Sequence, residues 1–271
     1  MQTDGLDPTR EGELRVGLIC NEDHAVFSRV ADRLAAAGVR VSVFEPGRPL
    51  DDDTLGDLSL LMNKKVDPAS LSALVRAERR GLPTWNGSQT MLLGVRLLGY
   101  RLLEEVGLRV PPVFFEPPPG DYVAKPFVDW HFRGDPVLNG EGDLYQEYVA
   151  AAHVDEKYYA VDVGPEITVR VLETTSKLHS DEKEPLGLVD PDPDIASRVR
   201  RLLRLTGSQA IGVDVVEGER ASWAVDVNPA MSFRHTGMED ELAASVLAVL
   251  DAADGSAERL RHRELESAED D

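Results

Sequence analysis

The chain has 271 residues, 42% of them hydrophobic, and a formal net charge of -20 from 49 acidic against 29 basic side chains. That length allows one large domain or two modest ones, and the apolar fraction suffices to bury a core. A surface this acidic repels nucleic-acid backbones, no stretch approaches the ~18 to 20 apolar residues of a membrane span, and one cysteine, Cys20, excludes an internal disulfide framework. The N-terminus "MQTDGLDPTREGE" is polar and acidic rather than signal-like, so the expectation is a cytoplasmic protein. Only six of the bases are lysines, a composition found in proteins of salt-loving organisms, where dense counterions screen self-repulsion. An ordinary acidic cytosolic protein is the alternative reading.

In chain order, "LRVGLIC" (Leu14–Cys20) reads as a short buried strand. Val26, Phe27, Val30, Ala31, Leu34 and Ala35 recur at helical spacing, Gly38 stops that helix, and "VRVSVF" gives a second strand. This is a βαβ unit with parallel strands. "LSLLMN" (Leu58–Asn63) is a third strand, followed by a helix over 68–80 and the short "LPTW". A helix over 89–106 closes at Gly107 before "VPP". The segments "GDYVAKPF", "DLYQEYV", "KYYAVDVG" and "EITVRVLE" are short, aromatic and β-branched, as in an antiparallel sheet. A helix over 192–206, a hairpin turning at "EGER", and a helix over 239–250 complete the pattern. The organisation expected is a flexible 1–13, an α/β domain over 14–85, a second domain over 86–250 with a small lobe near 111–150, and a mixed-charge tail over 251–271.

Several chemistries are absent. There is no G-x-x-x-x-G-K-[ST], no G-x-G-x-x-G after the first strand and no G-x-S-x-G elbow. The six histidines (24, 131, 153, 179, 235 and 262) have no metal-ligand spacing, and Cys20 ends a strand as core. The informative stretch is "GVDVVEGERASWAVDVNPAMSF", where Asp214 and Asp226 straddle the turn and Asn228 follows by two. Residues so placed face one another across an antiparallel hairpin, and Asn228 shares the face of Asp226. Val213, Val215, Val225 and Val227 alternate with them and are expected to form the core side. Two carboxylates and an amide oxygen on one sheet face suit Mg²⁺ or Mn²⁺ together with substrate phosphates. A solvated sheet face would also use Asp, but Asp is a poor strand former.

The D-x₁₁-D-x-N spacing resembles the metal-binding signature of the ATP-grasp superfamily. "TWNGSQTMLLGVRLLGYRLLEEVGLRVPPVF" resembles its linker helix, "YVAKPF" its central-strand lysine motif, and "YQEYV" the segment joining two lobes around adenine. "VDEKYYAVDVG" and "ITVRVLE" are similar to the paired strands that follow, so the resemblance covers about 14–250. It is closest to the short ligases and kinases related to glutathione synthetase and the ribosomal-protein glutamate ligases. The implied fold is α/β (α+β): an open parallel domain, then two lobes with antiparallel sheets clasping a nucleotide.

The resemblance implies roles residue by residue. Lys125 would hold nucleotide phosphates, and Arg96 stands where the family commonly has a lysine. Gln146, Glu147, Tyr148 and Val149 would line the adenine edge, with backbone groups of that segment supplying hydrogen bonds. Asp155 or Glu156 would meet the ribose hydroxyls, and Arg170 would sit near the γ-phosphate or the acceptor. Asp214, Asp226 and Asn228 would bridge Mg²⁺ to the phosphates of ATP. Only twenty residues separate Lys125 from Gln146, and "DWHFRGDPVLNGEGD", with His131 or Arg133, stands where a glycine-rich flap is usual. The implied activity is ATP-dependent ligation of a small-molecule or peptide carboxylate to an amine or thiol. A small-molecule kinase and a non-catalytic nucleotide-binding module are the alternatives. Kinase action on a polyphosphate would need a basic pocket, yet Lys177, His179, Lys183, Arg234 and His235 are interspersed with acids. The acceptor is expected between the first domain's strand ends, the Asn86–Gln89 turn and the Ser232–Gly237 loop. On this reading Asp226→Ala abolishes turnover and leaves the fold intact.

Overall fold

The computed structural model describes residues 14–128, 136–176, 178 and 184–269. Its first domain alternates β1 (Arg15–Ile19), α1 (Ala25–Ala36), β2 (Arg40–Phe44), α2 (Asp52–Gly56), β3 (Leu60–Asn63), α3 (Pro68–Arg79) and β4 (Thr84–Trp85). The strands form a parallel sheet in the order β2-β1-β3-β4, as the βαβ reading requires. Local chemistry explains the boundaries. Asp67 caps α3 by accepting from the amides of Ala69 and Ser70, and Pro68 occupies the first turn, where its missing N–H costs nothing.

The expected single helix over 89–106 is interrupted. α4 (Ser88–Met91) passes into a 3₁₀ turn at Leu92–Gly94, Val95 is extended, and α5 (Arg96–Glu105) starts afresh. The break coincides with a tertiary contact, because Val95 bridges Val128 and the Arg96 amide donates to the Phe127 carbonyl. Arg96 therefore sits in the first turn of a helix instead of mid-helix. Gly99 lets α5 approach the sheet, since a Cβ there would meet Val227 Cγ1 at 2.5 Å and the Leu93 carbonyl oxygen at 3.0 Å.

The small lobe comprises β5 (Val113–Phe114), β6 (Tyr122–Lys125), β7 (Val137–Leu138) and β8 (Leu144–Glu147), antiparallel in the order β5-β8-β6-β7. The large lobe is a five-stranded antiparallel sheet, β11-β10-β9-β12-β13. Its strands are β9 (Ala151–Asp162), β10 (Ile167–Thr175), β11 (Pro185–Val189), β12 (Ala210–Gly218) and β13 (Ser222–Asn228), with α6 (Pro193–Thr206) inserted before β12. The final helix, α7, runs over Glu239–Glu269, so the stretch expected as a tail continues a helix.

The two faces of this sheet have different partners. Tyr158, Ala160, Val171, Val213, Val215, Ala224 and Val227 pack with Leu103 of α5 and Val199 of α6. Tyr159, Val161, Leu172 and Ala210 join Met231, Phe233 and Leu242 in one core with Val16, Phe27 and Trp85 of the first domain. The Trp85 indole N–H donates to Ser245 Oγ at 2.9 Å, which satisfies its polar edge inside that core. No helix among the described residues is long and apolar enough to cross a membrane.

Candidate functional site

A β-bulge builds the site. From the turn, Glu217 pairs with Ser222, Val216 with Trp223 and Val215 with Ala224; the register then shifts and Asp214 pairs with Asp226. The extra residue is Val225. Continued without a shift, the ladder would oppose Asp214 to Val225 and turn Asp226 towards the core face. The expected valine face is corrected accordingly: Val213, Val215, Ala224 and Val227 are buried in the core, whereas Val225 is only half-buried. The Val225 carbonyl accepts from Lys125 Nζ at 2.7 Å.

Cations gather on this hairpin. Lys157 stands opposite Asp214 in β9, and its Nζ lies 2.6 Å from Asp214 Oδ2. Arg96 reaches Asp226 Oδ2 from the start of α5, also at 2.6 Å, while its Nε donates to the Pro126 carbonyl. Asp226 Oδ1 accepts from the Val227 amide, and Asn228 Oδ1 from the Ala230 amide. Lys125, buried in β6, donates to Gln146 Oε1 at 2.7 Å and to Tyr100 Oη at 3.2 Å, with the Tyr100 ring 5.6 Å away. Lys125, Arg96, Asp214 and Asp226 thus meet in one place. Lys157 belongs with them although no motif names it; its signal was a rare lysine two residues after Asp155 in a strand.

Among the described residues no three His, Cys, Asp or Glu side chains gather as a metal site. The donor set is two carboxylates in direct register plus an amide oxygen two residues along the strand. All are hard oxygen ligands, which fit Mg²⁺ or Mn²⁺ in kind, and the carboxylates are presently neutralised by Arg96 and Lys157.

The remaining expected residues divide. Gln146 is buried against Lys125 and its Nε2 has no partner among the described residues, a costly state for a buried donor that a ligand acceptor would relieve. Glu147 is exposed, and Tyr148 and Val149 are half-buried. The expected backbone hydrogen bonds of this segment are partly committed: the Glu147 amide donates to the Pro112 carbonyl and the Tyr148 amide to the Asp121 carbonyl. β8 lies inside its sheet, between β5 and β6, so it lacks a free edge there. Strand alternation separates Asp155 from Glu156. Asp155 shares the side of Lys157, while Glu156 turns to the opposite face with Tyr158, where burial and the Glu217 and Glu173 charges raise its pKa.

Arg170 is expected near phosphate, but its guanidinium is tied to a loop. Nη1 donates to the Thr236 and Gly237 carbonyls at 2.7 and 3.0 Å, and Nη2 pairs with Glu241 at 2.5 Å. The Asn86 turn is likewise structural, since Asn86 donates to Ala210 and Pro229 carbonyls and accepts from the Gln209 and Ala210 amides. Beyond the ends of β1 and β3 lies a basic group that sequence reasoning missed. Lys64 is buried, donates to the Ala230 carbonyl and lies 5.9 Å from the Phe27 ring centroid. Burial pushes its pKa down to about 7, with Lys65 and Arg234 acting in the same direction. Buried His24 beside it is pushed down to about 4 by burial first, then by Lys64 and Arg234. His131, Arg133, Lys177, His179 and Lys183 lie outside the described residues.

No protein-family model matches the chain, and no curated protein matches it in sequence. Solved structures do match. The ATP-grasp ligase PsnB, solved with a minimal precursor, superposes with a TM-score of 0.63 at 15% identity over 89% of this chain and 100% of that one. A RimK-domain ATP-grasp protein from Sphaerobacter thermophilus gives 0.62 at 17% identity, over 88% and 98%. The macrocyclase MdnC from Microcystis aeruginosa, bound to the precursor peptide MdnA, gives 0.63 at 11% identity, over 88% and 99%. Joined to the parallel domain, the two antiparallel lobes and the acid-bearing hairpin, these likenesses establish that the chain has the ATP-grasp fold.

Proposed function

We propose that this protein is an ATP- and Mg²⁺-dependent ligase joining a carboxylate to an amine or thiol through an acyl phosphate, with a peptide as the favoured acceptor. The observation that carries the reading is the gathering of three cations on one hairpin: Arg96 and Lys157 on the paired carboxylates Asp226 and Asp214, and Lys125 on the Val225 carbonyl beside them. Cations at that density on a protein of net charge -20 suit a polyanion that arrives with its own divalent cation. The peptide preference is supported by PsnB and MdnC, each solved with a precursor.

In this reading an acceptor carboxylate oxygen attacks the γ-phosphorus of ATP, the bond to the β-γ bridging oxygen breaks, and ADP departs. An amine or thiol then attacks the acyl carbon, inorganic phosphate leaves, and the nucleophile's proton passes to solvent or phosphate. Arg96, Lys125 and Lys157 hold phosphate oxygens and offset the charge moving onto them. Mg²⁺, held by Asp214, Asp226 and Asn228, would supply further neutralisation of the phosphates. Asp155 faces the ribose, and Gln146 to Val149 flank the base. Arg170 is a positioning residue, fixing the 232–237 loop that walls the acceptor. Phosphorus NMR of Mg·ATP with the protein in high salt, with carboxylate peptides and amines added singly and together, tests this. ADP and inorganic phosphate that need both acid and nucleophile support it. A phosphate ester formed beside ADP makes the protein a kinase, and absence of turnover with intact ATP binding makes it a nucleotide-binding module; either result overturns the proposal.

A further inference from the structure

We propose that the resting site is an ion-pair latch, in which Arg96 and Lys157 neutralise Asp226 and Asp214 until metal and nucleotide enter together and all four groups exchange partners. The proposal rests on the ATP-grasp reading above and adds how that site loads. Two positive and two negative groups face one another here, at 2.6 Å within each pair. The side chains are poorly hydrated: Arg96 is 2% exposed, Lys157 13%, and each aspartate 21%. In such surroundings water compensates little for a charge left alone.

Each half-loaded state strands charge. A divalent cation arriving alone would compete with Arg96 and Lys157 for the carboxylates, leaving a nearly inaccessible guanidinium without its counter-charge. Metal-free nucleotide would draw the two cations onto its phosphates and leave Asp214 and Asp226 directly opposed on adjacent strands, where like charges repel. The metal–nucleotide complex supplies both missing partners at once: phosphate oxygens take Arg96 and Lys157, and the metal takes the aspartates. Because binding free energies are linked, the factor by which metal tightens nucleotide equals the factor by which nucleotide tightens metal.

The test is calorimetric titration of the full chain with a non-hydrolysable ATP analogue, with Mg²⁺ or with chelator, at matched ionic strength. Electron paramagnetic resonance of Mn²⁺ alone reads the other half. The latch predicts that metal tightens analogue binding by about 50-fold or more, near the upper part of the usual coupling range, and that Mn²⁺ without nucleotide stays free. Ordinary screening of phosphate charge by metal would give part of that difference, so the deciding variant is Asp214→Asn/Asp226→Asn. It keeps oxygen acceptors for Lys157 and Arg96 but releases their charge, and is expected to bind metal-free analogue about tenfold more tightly than the wild type, within the usual coupling range. Lys157→Gln is the companion, expected to let Mn²⁺ bind without nucleotide, and it decides the matter if the double variant does not fold. Equal analogue affinity with and without metal overturns the latch and leaves the ATP reading standing, as does absence of a gain in the folded double variant. No binding of the Mg²⁺–analogue complex to the wild type overturns the ATP reading itself.

Discussion

Asp226 has a partner in the fold besides the metal proposed for it. As a metal ligand it was expected to be removable without harm to the fold. Its carboxylate also neutralises Arg96, whose side chain is 2% exposed, so Asp226→Ala leaves a buried guanidinium unpaired. We expect that variant to lose about 3 kcal/mol of unfolding free energy in denaturant titration, the cost usual for breaking a buried pair from one side. Asp226→Asn, which retains an acceptor, is expected to lose less than half as much; no loss in Asp226→Ala would mean that the pair contributes nothing to stability. His24 provides a pH readout at the same scale. Folded His24 holds its proton only below about pH 4, whereas the unfolded imidazole takes one up near its ordinary value of 6.5. The unfolded chain therefore gains protons as pH falls from 6.5 to 4, and stability drops through that window by ~1.4 kcal/mol per pH unit for one site. Removing the imidazole with His24→Gln should flatten the slope of stability against pH by about that amount, beneath the carboxylate background common to both proteins. An unchanged slope would mean that His24 titrates normally in the folded state.

The elements show how little of the site depends on secondary structure as such. The βαβ unit, the antiparallel strands β6, β8, β9 and β10, and the hairpin were legible because apolar spacing and turn residues dictate them. The broken helix at Val95 and the bulge at Val225 were not, because both answer to partners far away in sequence: Phe127 and Val128 for the first, Lys125 for the second. The α5–β13 contact is a place to test this packing. Gly99→Ala would put a methyl carbon 2.5 Å from Val227 Cγ1. It should cost about 1–3 kcal/mol, as overpacking does, even though alanine favours helix, and the chemical-denaturation midpoint reads it directly. A stabilised variant would show that α5 sits further from the sheet. Because Val227 lies between Asp226 and Asn228, the metal ligands proposed above, the same variant should also weaken Mg·ATP binding.

At the scale of the molecule, a charge of -20 is spread over a fold whose parallel sheet and five-stranded antiparallel sheet share one core through Phe27, Trp85, Tyr159 and Phe233. Surface self-repulsion opposes that compact state and is relieved by counterions, with a screening length of about 10 Å at 0.1 M salt and about 3 Å at 1 M. The melting temperature should therefore climb steadily between about 0.1 and 1 M potassium chloride. A flat profile would remove the salt-adapted reading of the composition. The basic group of buried Lys64 with Lys65 and Arg234, at the strand ends, is a local exception to the acidic character of the chain.

Sequence alone determined the opening βαβ unit, the parallel-then-antiparallel plan and the acids on the hairpin, since period, turn chemistry and residue type are local properties; the short α2, β5, β7 and β11 carried too little of either signal to be read. The resemblance of "YVAKPF" to a central-strand lysine motif also singled out Lys125. The tertiary structure decided which groups meet. A one-residue bulge turned Asp226 to face Asp214, alternation set Asp155 and Glu156 on opposite sides, and a helix break delivered Arg96 to the hairpin. It brought in Lys157 and committed Arg170 to a loop. Those outcomes depend on register and on contacts between distant segments, and a single residue of slip exchanges one sheet face for the other.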